Sequence, residues 1–136
     1  MLINLSNHPS ANWGTEQMQA AKAQFGLVED LSFPNIDPTA GKAEIEELAQ
    51  YYLKQIKEKA ETEKLQRAQS DDGVFSGRSK VAVNLMGERT FCFALFKLLQ
   101  SENIQCVVST TERVVLEEKN GLKTARFRFV QFRDYY

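Results

Sequence analysis

The sequence predicts an α/β fold: a mainly parallel sheet with flanking helices and a C-terminal β-hairpin. Three observations predict it. Two short apolar runs within the first 40 residues are separated by a helical pattern, and a third run, KVAVNL, leads through the helical FCFALFKLLQ to a fourth at residues 104–108. Near the end, Asn120 and Gly121 separate two alternating segments. Strands joined through helices pair in parallel, because a parallel pair needs a long crossover, whereas Asn-Gly between alternating runs makes a two-residue hairpin turn.

Each element follows from local chemistry. Residues 1–6 form an apolar run that Ser6, Asn7, His8 and Pro9 stop, as turn formers stop a strand. A helix is expected from Thr15, which can cap it; Met18, Ala21 and Phe25 recur at helical spacing and Gly26 ends it. Residues 27–33 read as a second strand, closed by Pro34 and Pro38. From about Thr39 a long helix buries Ile45, Leu48, Ala49, Tyr52 and Ile56, one stripe at helical spacing. Beyond Ile56 the stripe fades, so KEKAETEKLQRAQ is expected as a solvent-exposed extension held by charge pairs. The following SDDGVFSGRS is expected to be mobile, a lid or a linker, which makes about 57–79 an interruption in a single domain spanning 1–136.

Residues 80–85 supply the third strand, running into Met86, Gly87, Glu88, Arg89 and Thr90 before the next helix. That helix is apolar on most sides, so it is either central to the core or covered by a second subunit. Residues 104–108 form the fourth strand, expected to end in Ser109, Thr110, Thr111, Glu112 and Arg113; residues 114–118 and 124–132 then flank the hairpin turn.

Composition narrows the function. The chain has 136 residues, 43% of them hydrophobic and 26% charged, with 17 Lys+Arg against 18 Asp+Glu. One folded domain fits that length, and near-neutrality argues against a duplex nucleic-acid coat, which needs a large cationic excess. By thirds, residues 1–40 carry 1 positive and 4 negative groups, residues 41–80 carry 8 and 8, and residues 81–136 carry 8 and 6. A compact polyanion at one place remains compatible. No apolar run approaches the roughly 18 residues of a membrane span, and MLINLSNHP lacks the features of a signal peptide, so the expected location is cytoplasmic. Cys92 and Cys106 lie in apolar stretches without CxxC spacing, which reads as packed, reduced thiols. With His8 as the one histidine, no zinc site assembles from sequence signals, and no cofactor is expected.

Ligands of open parallel sheets bind beyond the carboxyl ends of the strands. Three such ends carry the polar candidates: Ser6, Asn7 and His8; Gly87, Glu88, Arg89 and Thr90; and Ser109, Thr110, Thr111 and Arg113. Hydroxyls, an amide, an imidazole and two guanidiniums suit phosphate oxygens and ribose hydroxyls. Arg89 stands in a first helical turn, where a cation opposes the macrodipole; a bound anion explains it, and so does an arginine swung out to pair with Glu88 or Glu112. Gly87 either permits anion approach or serves a tight turn. His8 can exchange protons near neutral pH, or be a plain loop residue. The three hydroxyls from Ser109 are either ligand contacts or a capped turn.

The terminal ARFRFVQF resembles the aromatic strand of RNA-recognition motifs, but Arg126 and Arg128 occupy places that motif gives to small residues, and no helix and strand follow. That motif is rejected. Ala125, Phe127 and Phe129 are expected to bury one face, with Arg126 and Arg128 on the other.

With NLSNHP, VNLMGERTFCFALFKLL, STTER and FRFVQFRDY at these places, most of the chain outside about 57–79 resembles small CRISPR-associated proteins. The group meant is the standalone Rossmann-like one related to CARF domains and ring nucleases. The resemblance implies a Rossmann-like (CARF-like) fold and a homodimer that binds cyclic oligoadenylate, expected to be cyclic tetra-adenylate, in type III CRISPR antiviral signalling. It further implies a ring nuclease in which a ribose 2′-hydroxyl attacks the adjacent phosphate without a metal. His8 and Arg89 are then the catalytic candidates, with Ser6, Asn7, Gly87, Glu88, Thr90, Ser109, Thr110, Thr111 and Arg113 as ligand contacts. A non-catalytic sponge for the same messenger, and an unrelated small α/β nucleotide- or protein-binding module, are the alternatives.

Overall fold

The computed structural model describes residues 1–69 and 81–136; the expected lid or linker at 70–79 lies outside them. In chain order the elements are β1 (Leu2–Ser6), a 3-10 turn (Ser10–Asn12), α1 (Thr15–Phe25), β2 (Val28–Asp30), α2 (Lys42–Gln69), β3 (Ala82–Met86), α3 (Arg89–Ser101), β4 (Gln105–Glu117) and β5 (Lys123–Asp134). They build a Rossmann-like α/β fold around one five-stranded sheet in the order β2-β1-β3-β4-β5. β1 to β4 run parallel, and β5 returns antiparallel to β4. The chain moves outward from β1 to β2 and then crosses back to β3, so the strand order reverses between β1 and β3. In such sheets a crevice opens there, beyond the carboxyl ends.

Side-chain alternation divides the sheet into two unequal faces. One face sends Ile3, Leu5, Val83, Leu85 and Cys106 against Ile45, Ala49, Leu53 and Ile56 of α2 and Phe91, Leu95 and Leu99 of α3, all buried. The other buries Leu2, Ala82, Val107 and Phe132 with Ala21 of α1, bordered by Trp13, Phe25, Val28 and Phe129. No described helix is long and apolar enough to cross a membrane. Burial pushes the thiols of Cys92 and Cys106 up to about 12, helped by Glu88 beside Cys92 and by Cys92 beside Cys106.

Several boundaries differ from expectation. Strand β2 is three residues rather than seven. After Leu31 donates to the Asn4 carbonyl at 2.9 Å, the chain leaves the edge, and Leu31, Phe33 and Ile36 pack on the α2–α3 core instead. Helix α1 starts at Thr15, but its N-cap is Gly14, with no side-chain cap. Helix α2 starts at Lys42 because Asp37 draws Thr39 into a turn, accepting its N–H and hydroxyl at 2.8 Å each.

The charged continuation of α2 is not simply solvated. Ala60 packs against the core, Lys59 pairs with Glu29, and Glu63 is buried beside the Met1 amino group at 3.7 Å and the Arg67 guanidinium at 2.7 Å. α3 is amphipathic on the α2 side, leaving Phe93 61% exposed.

The largest correction concerns β4. Residues 109–113 are not a turn after a short strand; they continue it, and β4 is one 13-residue strand paired with β5 from Val107 to Glu117. Ser109, Thr110 and Thr111 stay extended because β5 supplies their backbone partners and the two β-branched threonines suit a pleated strand. The hairpin closes where expected, with Gly121 at φ 78° and its N–H bonded to the Glu118 carbonyl at 3.0 Å. Its outer half outruns the other strands. The expected burial of Ala125, Phe127 and Phe129 therefore fails for the first two, and Phe129 is partly buried; Phe127 is 72% exposed.

Candidate functional site

A chain of polar side chains crosses the sheet on the α1 face, one from each of β2, β1 and β3, and ends on β4. Asn4 and Asn84, each 1% exposed, lie opposite one another in register, and Asp30 lies opposite Asn4. Asn4 donates Nδ2 to Asp30 Oδ1 at 2.7 Å and to the His8 carbonyl at 2.9 Å. Its Oδ1 accepts from Asn84 Nδ2 at 3.0 Å and lies 2.9 Å from Ser6 Oγ. Asn84 Oδ1 in turn accepts the Ser109 backbone N–H at 3.1 Å. Each donor and acceptor of Asn4 is thus used, as a buried amide requires.

This ladder fixes the loop after β1. The His8 carbonyl accepts from Asn4 Nδ2 and from Trp13 Nε1 at 3.1 Å, and Ser6 Oγ lies 3.0 Å from it. Ser6 Oγ also accepts the His8 N–H at 3.2 Å. Asp30 anchors the following turn, accepting the Ser10 hydroxyl at 2.7 Å and the Ser10 N–H at 3.0 Å. Burial raises the Asp30 pKa, but the bonds from Ser10 and Asn4 outweigh it and hold the carboxyl below its ordinary value.

Above the ladder opens a cleft of about 620 Å³, between the start of α1 and the strands β4 and β5. Ser6, Met86, Ser109 and Thr111 line it from the sheet, His8 and Trp13 from the loop, residues 14–17 from the first turn of α1, and Phe127, Arg128 and Phe129 from β5. The register of β4 and β5 shifts between Thr110 and Thr111, so that Ser109 faces Phe132 while Thr111 faces Phe129 and Arg113 faces Phe127. This bulge brings Phe127, Phe129 and Phe132 to one side of the sheet despite their uneven spacing. Trp13 and Phe129 both pack on Phe132, at centroid distances of 6.0 and 5.0 Å. Charge in the cleft nearly balances: Glu16 opposes Arg128, whose Nε is itself 3.3 Å from Glu112.

Of the predicted residues, Ser6, His8, Ser109 and Thr111 meet in this cleft. Asn7 lines a smaller neighbouring cavity of about 290 Å³ with Asp30 and Phe33. Thr110 turns away and donates to the Gln131 carbonyl at 3.2 Å, and Arg113 lies in the exposed part of the hairpin.

Gly87, Glu88, Arg89 and Thr90 stand apart from the cleft lining, at the start of α3. Glu88 is the N-cap there, accepting the Phe91 N–H at 2.8 Å and the Thr90 N–H at 3.1 Å. The Phe91 N–H and the Thr90 hydroxyl chiefly lower its pKa, so a carboxylate already occupies the amides proposed for an anion. Gly87 answers to packing: a Cβ there would stand 2.1 Å from the Phe33 ring. Arg89 is exposed in the first turn.

Sequence reasoning missed Asn4, Asp30, Asn84 and Trp13. One signal was available: in LINLS and AVNLM a single asparagine interrupts an apolar run two residues before the strand ends.

The cleft combines hydroxyls, one imidazole and aromatic rings at the carboxyl ends of β1 and β3, a set able to hold a ribose, a phosphate ester and a flat base. A family model described as "Uncharacterized protein MJ1673 family" matches residues 1–133. No curated protein and no solved structure matches the chain.

Proposed function

We propose, for a chain that belongs to the MJ1673 family over residues 1–133, that the cleft binds cyclic oligoadenylate and opens the ring, switching off type III CRISPR antiviral signalling. One observation carries this reading: at the strand-order reversal, Ser6, Ser109 and Thr111 face the same cleft as His8, Trp13, Phe127 and Phe129. Ribose hydroxyls, phosphodiesters and adenine bases call for that mixture of groups. A nearly neutral cleft holds such a ligand through hydroxyls, amides and rings rather than through a cationic field. The sequence resemblance to ring nucleases supports the same ligand.

In the proposed reaction a ribose 2′-hydroxyl attacks the adjacent phosphorus. The P–O2′ bond forms, the P–O5′ bond breaks, and the product is a linear oligoadenylate ending in a 2′,3′-cyclic phosphate. His8 accepts the proton of the 2′-hydroxyl and releases it to solvent, and the departing 5′-oxygen takes up a proton from water. Ser6, Ser109 and Thr111 hold the ribose in line for the attack. The phosphate clamp expected of Gly87 and Arg89 is left out of this scheme, because the Glu88 carboxylate caps that helix start.

That same capping favours a second reading, a sponge that binds the ring without cutting it, since it removes one source of stabilisation for the developing phosphorane charge. Incubating the protein with cyclic tetra-adenylate and resolving the mixture by chromatography separates the two. Linear product that disappears in His8→Ala supports cleavage; intact ring retained at micromolar protein supports the sponge; an intact ring that does not bind overturns both. Light scattering with and without the ring reads the homodimer that belongs to this proposal.

A further inference from the structure

Resting on that reading, we infer that Trp13, Phe127 and Phe129 form a stacking wall for a purine base, and that this wall, rather than a cation, determines which ligands the cleft holds. The indole of Trp13 has its one polar group committed, Nε1 donating to the His8 carbonyl at 3.1 Å, so only apolar ring surface remains for the cleft. Its position is doubly set, by that bond and by packing on Phe132 at 6.0 Å. Phe129 stands on the same buried ring at 5.0 Å, which gives the wall a rigid base.

Phe127 has no comparable role in the core. It is 72% exposed yet lines the cleft, and the bulge in the β4–β5 pairing turns it to the cleft side. A phenylalanine kept in water beside hydroxyl-bearing strands is matched by a flat, apolar ligand surface. A base meets that description, and a ribose phosphate alone does not. Ser6 and Ser109, whose hydroxyl protons are taken by Asn4 or the His8 carbonyl and by Met86 Sδ, can then accept from the sugar hydroxyls, and Thr111 can donate to the phosphate. At about 620 Å³ the cleft is within the range of small-molecule sites, room for one or two nucleotides of the ring in each subunit of the proposed dimer rather than for a duplex.

Trp13 is the one tryptophan of the chain, so its emission reports on this wall alone. The experiment titrates the protein with cyclic tetra-adenylate, AMP, GMP and the base-less ribose 5-phosphate, following Trp13 fluorescence and, in parallel, heat by calorimetry. The expected result is saturable change with adenylates, none with ribose 5-phosphate, and dissociation constants raised about tenfold or more in Phe127→Ala, as loss of one base–aromatic stack implies. Phe127→Ala alters an exposed side chain, so the variant keeps its fold; Phe127→Tyr restores affinity. Adenylate heat without any change in Trp13 emission, or undiminished by Phe127→Ala, overturns the wall and leaves the proposed function standing. GMP or AMP quenching without binding of the cyclic ring upholds the wall and overturns the cyclic oligoadenylate reading. Silence by both methods with every probe overturns both.

Discussion

The two faces of the sheet carry the same strands and differ in what those strands present. Toward α2 and α3, β1 and β3 and the residue just before each show Met1, Ile3 and Leu5 and Val81, Val83 and Leu85, all apolar and all buried. Toward α1 they show Leu2, Asn4 and Ser6 and Ala82, Asn84 and Met86, with a buried asparagine at the middle of each strand and a hydroxyl at the end of β1. The first face is covered by two helices and holds the domain together. The second gives up apolar burial for a hydrogen-bonded ladder, and the cleft opens where that exchange is made. Stability and the candidate site are thus separated by the period-2 alternation of strands five residues long.

The separation predicts that substitutions on the two faces fail differently. Leu95→Ala, which empties a fully buried position of α3, should cost about 2–5 kcal/mol in urea denaturation and leave native Trp13 emission unchanged. Asn84→Ala should cost less, about 1–3 kcal/mol, because the Ser109 N–H loses its acceptor and Asn4 Oδ1 one of its donors. Its native Trp13 emission should nonetheless shift, since the ladder sets the His8 carbonyl on which the indole rests. A large emission change in Leu95→Ala, or none in Asn84→Ala, would break the comparison.

The dry face was the more legible of the two. Its helices declare themselves by the spacing of Ile45, Ala49 and Ile56 and by the apolar density of residues 91–99, signals that need no knowledge of neighbours. The polar ladder has no such local period. Asn4 and Asn84 are 80 residues apart and become partners only through the β1–β3 register, so the sequence shows two unremarked amides where the fold shows one network. The β4 error has the same origin. Ser109, Thr110 and Thr111 read locally as a turn, and β5, drawn alongside by the Asn120–Gly121 turn, keeps them extended. Ser6 and His8 were found because turn formers do mark a strand end. Trp13 was passed over because one aromatic in a loop has no pattern to join.

A third substitution sharpens the boundary between the faces. Gly87 follows β3 directly, yet its neighbour is Phe33, which packs edge-to-face on Phe91 of the dry core at 5.3 Å. Gly87→Ala should therefore act as overpacking, at the lower end of about 1–3 kcal/mol, because a ring on a loop can yield. Phe33→Ala alone should also destabilise, but the two together should cost less than their sum, a coupling readable in a double-mutant cycle. Strict additivity would return Gly87 to a role in the ligand site.

The smallest effect belongs to pH, and its sign separates the faces once more. Asp30 is the ladder's terminal acceptor, and its carboxyl is held below the ordinary aspartate value by Ser10 and Asn4 despite the opposing effect of burial. A group whose pKa is lower in the folded state contributes stability that is present above the unfolded value and lost as pH falls through the folded one. The loop from Ser6 to Trp13 should therefore loosen as pH falls below the ordinary aspartate range, seen as a change in Trp13 emission before the global unfolding followed by circular dichroism. The core of the α2–α3 face should lag behind, because the side chains that hold it together are apolar. In Asp30→Asn the acid step should vanish, since an amide keeps an acceptor for Asn4 and Ser10 at every pH. A step that persists in that variant would assign the acid sensitivity to another carboxylate, Asp37 before α2 or Glu88 at the start of α3, each also held below its ordinary value by hydrogen bonds.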